Sequence, residues 1–276
     1  MSAEDLIGRT RAAHDRIDAW RAGALHAALD LPGPPPAAGA PLPAFQHWIY
    51  FLEAAPGRAL GRDGHPARGG FIPDLGLPRR MWAGGALTFH RPLPIGAEAE
   101  RKTTIEAIAR KTGRSGPLAF VTLRHEISTA GALAVSERQN LVYREDPAPG
   151  AAPTAPSPAP TDETRSRVFR PGPVGLFRYS ALTFNGHRIH YDRDYARDVE
   201  GYPGLLIHAP LIAQVMLGFA EEAHGPAAAF SFRARAPAFD FEEITIAAKD
   251  RDGGAALWAR GPDGRLVMEG EMTSAG

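Results

Sequence analysis

The chain has 276 residues and carries 31 Lys+Arg against 31 Asp+Glu, a formal net charge of zero. That balance argues against a nucleic-acid binder held by bulk electrostatics, because phosphate recognition needs a basic excess on at least one face. The apolar fraction of 44% is that of a globular chain, and the absence of cysteine excludes a disulfide framework, a cysteine nucleophile and a thiolate metal site.

The opening run Met1-Ser2-Ala3-Glu4-Asp5 places acids where a secretory signal needs basic residues. The charge-free and mostly apolar stretch Leu205 to Ala220 is too short for the roughly 20 apolar residues of a membrane span. A soluble cytoplasmic protein is therefore expected.

In chain order, Ile17–Leu29 reads as a helix. Leu31–Pro43 reads as a Pro/Gly-rich loop. Ala44–Leu52 reads as a second helix, with Phe45, Trp48, Ile49 and Leu52 on one side. A glycine-rich loop leads to strand-like runs at Ala86–Phe89, Glu98–Ala109, Leu118–Ser128 and Ala132–Tyr143, and Lys111 to Gly116 has the turn chemistry of a hairpin. From Pro147 to Pro160 the sequence is nearly all Pro, Ala and Gly, which predicts an extended connector. The expected domains are 1–146, a linker over 147–165, and 166–276. In the second half a nearly all-apolar helix over Pro210–Ala223 precedes strand-like runs at Ala228–Ala234, Glu243–Lys249, Ala255–Arg260 and Leu266–Glu271. Each half reads as a buried helix followed by an antiparallel meander. The fold class is α+β, with a curved sheet wrapping a central helix twice.

Two segments carry chemistry. Phe177 to Tyr195 concentrates Arg178, Tyr179, Ser180, Thr183, Asn185, His187, Arg188, His190 and Asp192, a dense set of proton-transferring and hydrogen-bonding groups. A polar surface loop ahead of a core helix is the bland alternative. A zinc set of His187, His190 and Asp192 lacks the i, i+4 helical spacing of the zincins, and Ser180 lies in no Gly-x-Ser-x-Gly elbow. No metal is expected. In the second segment, His208-Ala209-Pro210 opens the buried helix with proline where its missing N–H costs nothing. The free amides there suit a developing enolate oxygen or serve as an ordinary cap.

Together the loop Asn185-Gly186-His187-Arg188-Ile189-His190 and the helix start His208-Ala209-Pro210 resemble the MaoC-like branch of the hot-dog superfamily. There the catalytic loop reads Asp-x-Asn-Pro-x-His, and a stretch ending in His-Gly opens the central helix. TFNGHRIHYD at 183–192, PRRMWAGGALTF at 78–89, HWIYFL at 47–52, KTGRSG at 111–116 and VYRED at 142–146 are similar to one subgroup, the double-hot-dog type 2 hydroxyacyl-thioester dehydratases and mesaconyl-C4-CoA hydratases.

The resemblance covers nearly the whole chain. It implies a tandem hot-dog fold with a degenerate N-terminal copy, and hydration or dehydration of an acyl thioester held in a tunnel between the copies. It implies His190 as general base or acid, and Asn185, where the hydratases have aspartate, as the group that holds the water. It implies the Ala209 amide as the oxyanion donor. Tyr179, Thr183, His187 and Asp192 are expected around them. CoA phosphates need cations, and Arg178, Arg188, Arg233, Arg235, Lys111 and Arg114 are the candidates. A branched dicarboxylic acyl group such as mesaconyl or itaconyl needs a cation deep in the pocket, for which Arg178 and Arg188 are the expectation. No cofactor is implied beyond CoA as part of the substrate: no GxGxxG after a strand and no Walker motif is present. A 3-hydroxyacyl-ACP dehydratase, a thioesterase and a non-catalytic acyl-binding partner subunit stay open. A homo-oligomer is expected.

Overall fold

The computed structural model describes residues 3–113, 116–146 and 155–276. The first half supplies β1 (Thr10–Arg16), α1 (Ala19–Ala28), β2 (Arg79–Phe89), β3 (Glu98–Gly113), β4 (Gly116–Thr129) and β5 (Ala132–Arg144). The second supplies β6 (Arg165–Phe169), α2 (Gly172–Leu182), α3 (Ala209–His224), β7 (Ala227–Ala234), β8 (Ile244–Arg251), β9 (Gly254–Arg260) and β10 (Leu266–Ser274). Arg114, Ser115 and the first eight residues of the Pro147–Pro160 connector lie outside the described residues.

The strands form one antiparallel sheet in the order β1-β3-β4-β5-β2-β7-β10-β9-β8-β6. The order from the β1 edge to β2 repeats, strand for strand, as the order from the β6 edge to β7. Two copies of one five-stranded topology are thus joined edge to edge through β2 and β7. The chain is the tandem hot-dog that the resemblance implies. At the seam Gly84 lies opposite Arg233 and Gly85 opposite Phe232. A Cβ on Gly84 would come 2.4 Å from the Phe232 carbonyl oxygen, so the close approach requires glycine there.

The C-terminal copy is built as expected. Helix α3 buries Leu211, Ile212, Ala213, Met216, Leu217, Phe219 and Ala220 against β7, β8, β9 and β10. Each large side chain fully removed from water adds roughly 1.5–3 kcal/mol.

The N-terminal copy corrects the expectation of a central helix in each half. Ala44–Leu52 is not a helix; only Gln46–Ile49 makes a 3-10 turn. Phe45 and Phe51 both take left-handed φ angles, 69° and 57°, which stops helical propagation on either side. The interior is filled instead by aromatic packing. Phe45 stacks on Trp48 at 5.4 Å, Trp48 meets Trp82 edge-on at 5.1 Å, and Phe45 reaches Phe230 and Phe232 across the seam. Glu137 accepts from Trp48 Nε1 at 3.0 Å and pairs with His47 at 2.8 Å within that packing.

Three elements escape a reading by periodicity. The edge strands β1 and β6 and the helix α2 fall in segments where no helix or strand is expected from sequence, and β1 displaces the expected start of the first helix to Ala19. Strand β2 also begins seven residues before the expected Ala86.

Candidate active site

Helix α2, the loop after it and the start of α3 bring the titratable cluster together. The α2 C-terminus ends at Thr183, whose hydroxyl donates to the Tyr179 carbonyl at 2.7 Å, so that group is committed to the helix end. Phe184 takes a left-handed φ of 50°, which turns the chain, and Asn185 N–H donates to the Ser180 carbonyl at 2.8 Å. The Asn185 side-chain oxygen accepts from His187 N–H at 3.0 Å, an Asx turn that leaves its NH2 group available.

His190 is buried at the end of a short 3-10 turn, Arg188–His190. Its Nδ1 lies 2.8 Å from the Leu206 carbonyl oxygen. A carbonyl can only accept, so Nδ1 carries the proton and Nε2 keeps its lone pair. Nε2 has no hydrogen-bond partner among the described residues and is not among the sealed polar atoms of the interior. Burial, with the neighbouring His187 next in weight, holds the imidazole pKa down to about 3. The ring is therefore a neutral base at physiological pH.

His208, fully buried as the N-cap of α3, stacks on His190 with ring centroids 3.6 Å apart and planes 18° from parallel. Its Nε2 meets Ser180 Oγ at 2.8 Å, and its Nδ1 is buried without a partner among the described residues. Tyr179 packs edge-on against His208 at 5.0 Å, and its buried hydroxyl also lacks a partner among them. Ala209 begins α3, and its N–H has no acceptor among the described residues. That amide is one of the free donors of a helix N-terminus.

The N-terminal copy closes the other side. Asp63 carbonyl accepts from Arg188 N–H at 2.9 Å, and His65 lies 4.7 Å from His187 ring to ring. Gly64 presses on the catalytic loop so tightly that a Cβ there would sit 2.1 Å from the Gly186 oxygen. His187 in turn meets His190 edge-on at 5.5 Å. Burial holds His65 and His187 down to about 3 as well.

The remaining expected residues are placed elsewhere. Asp192 binds Arg188 at 2.8 Å and accepts from Tyr195 N–H at 3.0 Å, so it caps the following segment and orients no imidazole. Arg188 lies over the Tyr195 ring and reaches the Arg62 carbonyl. Arg178 is exposed on α2, and Arg233 is exposed on the outer face of β7. Arg235 is paired with Glu269, and Lys111 lies over Phe120. Neither Arg178 nor Arg188 is thus the free pocket cation expected from sequence. His187, His190 and Asp192 do not form a ligand set. Among the described residues the group whose donor atoms converge within 4.8 Å is Asp63, His65 and His187.

Sequence reasoning passed over His208 as a ring, Ser180 as its partner, and the 61–65 loop. His208 stood in the quoted helix start, where only its place as a cap was read. The 61–65 loop meets residues about 120 positions later, a contact no spacing reveals.

The profile of hydroxyacyl-thioester dehydratase type 2 matches residues 45–240. The chain belongs to this family. It is thereby an acyl-thioester hydro-lyase. It is 46% identical over 280 residues, covering 100% of both chains, to a Chloroflexus aurantiacus protein named mesaconyl-C(4)-CoA hydratase. A solved MaoC-like dehydratase superposes with a TM-score of 0.74 at 16% identity, covering 99% of each chain. A Mycobacterium tuberculosis protein described as having a double hot-dog fold superposes at 0.59 and 14% identity, over 99% of this chain and 97% of its own. These last two speak to fold alone. No described helix is long and apolar enough to cross a membrane.

Proposed function

We propose that the protein adds water reversibly across the α,β double bond of a small branched dicarboxylic acyl-CoA, with mesaconyl-C4-CoA the first substrate to test and itaconyl-CoA the second. The observation that carries this reading is the 46% identity over the full length to a mesaconyl-C(4)-CoA hydratase. His190 Nε2 takes a proton from water as that water attacks the β-carbon. The displaced π electrons move onto the thioester oxygen, where the Ala209 amide and the α3 dipole hold the negative charge. The proton then goes to the α-carbon, so the product gains one water and loses nothing. The Asn185 NH2 group holds the water; as an amide it cannot take the proton itself. His208 and Ser180 fix the ring beneath His190. CoA is part of the substrate, and no further cofactor enters the scheme. The cytoplasm and a homo-oligomeric state belong to this reading, the latter checked by light scattering.

The test is loss of the enoyl-thioester absorbance near 263 nm with crotonyl-CoA and mesaconyl-C4-CoA, and the product mass with itaconyl-CoA, for the wild type and His190→Ala. Hydration without free CoA, reduced about 10²–10⁴-fold in the variant, is expected. Release of free CoA would make the protein a thioesterase. Binding without turnover would make it a carrier or partner subunit.

A further inference from the structure

The acyl group named under Proposed function sets a demand that the site's histidines cannot meet. In a C4-thioester of mesaconate the free carboxylate is bonded to the β-carbon, the carbon that water attacks. An anion brought that close must be compensated, because burying an unpaired carboxylate is prohibitive. The imidazoles around the site, His65, His187, His190 and His208, are all held neutral.

Arg80 answers this demand by position. It stands on β2 opposite Tyr143 of β5, and the register continues with Trp82 opposite Leu141. Directly opposed residues share a face. Arg80, Trp82 and Tyr143 therefore face inward, while Met81 between them is exposed. Arg80 is half-buried, and its recorded hydrogen-bond partner is the Tyr143 hydroxyl. Among the described residues no carboxylate lies within ion-pair distance of it, whereas its neighbour Arg79 is held by Asp146 at 3.0 Å and Glu200 at 2.8 Å. Burial is the larger cause of the low His65 pKa, and the Arg80 charge adds to it; the same charge also acts on His187. An inward guanidinium without a carboxylate partner thus acts on His187, whose ring meets His190 edge-on at 5.5 Å. Among the described residues each other arginine expected near the pocket is paired or exposed.

We infer that Arg80 is the specificity residue for dicarboxylic substrates, binding the free carboxylate on the β-carbon through its guanidinium fork. This inference rests on the dicarboxylic reading above. The planar fork matches a carboxylate in two parallel hydrogen bonds. It also offsets the repulsion that a carboxylate exerts on a water attacking the same carbon.

The experiment compares kcat/KM for mesaconyl-C4-CoA and for crotonyl-CoA, which lacks the second carboxylate, in the wild type, Arg80→Gln and Arg80→Lys. The ratio of the two constants should fall about 10²-fold in Arg80→Gln, the scale of a lost hydrogen-bonded contact to a charged group. Arg80→Lys, which keeps the charge and the stem on β2, should recover part of that ratio. An equal loss on both substrates would overturn the inference by assigning Arg80 to the CoA moiety or to the fold. An unchanged ratio would overturn it while leaving the hydratase reading intact. A wild type that hydrates crotonyl-CoA and not mesaconyl-C4-CoA would remove the dicarboxylic reading, and Arg80's role with it.

Discussion

His190 illustrates how much a single ring owes to its surroundings. Exposed imidazole titrates near pH 6.5, and a hydratase using one as its base would lose activity below that value. Burial moves the His190 pKa down to about 3, and its Nδ1–H is fixed on the Leu206 carbonyl. The catalytically useful neutral form therefore persists through the mildly acidic range. A profile of kcat/KM against pH, recorded over the range where the fold holds, should stay flat from pH 8 to about 5.5. An acid limb centred near 6.5 would mean that water reaches the ring freely. The three groups that the family resemblance assigned to chemistry, His190, Asn185 and Ala209, do converge on one loop and one helix start. The arginine assignments were less legible. Whether a guanidinium is free depends on which carboxylate folds against it, and Asp192 lies only four residues from Arg188 while Glu269 lies 34 from Arg235.

At the scale of elements, the site is a contact between two loops that belong to different copies. Gly64 has a φ of +84°, and any Cβ would collide with the Gly186 oxygen beside Asn185. Gly64→Ala carries roughly 1–2 kcal/mol of backbone strain and pushes directly on the catalytic loop. Activity should fall by about 10²-fold, because small displacements of reacting groups cost that much. The melting temperature should drop only modestly, since the collision is confined to two loops. A large thermal shift with proportionate activity in the folded fraction would contradict this. The same scale shows where sequence patterns fail. Strands β3, β4 and β5 were legible because one face of each is buried more than the other, and β8, β9 and β10 because they carry apolar runs buried on both faces. Strands β1 and β6 lie at the sheet edges, where polar residues such as Arg11, Arg165 and Arg167 blunt the signal. Helix α2 hid behind Pro171, Gly172, Pro173 and Gly175, which read as breakers although proline is acceptable in a first turn. The segment 44–52 had helical spacing of apolar residues, yet its aromatic side chains are used to fill a copy that has no central helix.

Taken as a whole, the molecule joins two copies along β2 and β7 and places buried imidazoles at and near that join. His190 and His208 are buried and stacked on each other, and His125 is buried on β4 with Nδ1 beside Thr103 Oγ1 at 2.8 Å. Burial depresses all three, His125 to about 4, His190 to about 3 and His208 well below its ordinary value. In the unfolded chain each titrates near 6.5. Between the folded and unfolded values the unfolded chain binds more protons, so stability rises with pH in that window. The stabilisation is complete above about pH 6.5 and is lost as pH falls toward 4. Each ring contributes about 1.4 kcal/mol per pH unit there, and with His65 and His187, held down in the same way, the five together about 7. Against a typical total of about 5–15 kcal/mol, that loss is enough to unfold the protein between pH 5 and 4. The measurement is a series of urea midpoints from pH 7.5 to 5, with His125→Phe beside the wild type. That substitution lies outside the loops that carry the reaction, and it should flatten the slope by about a fifth whatever it does to the midpoint at pH 7.5. Identical slopes would mean that His125 is solvated in the folded protein, and a wild-type midpoint that does not move would mean the same for all five rings.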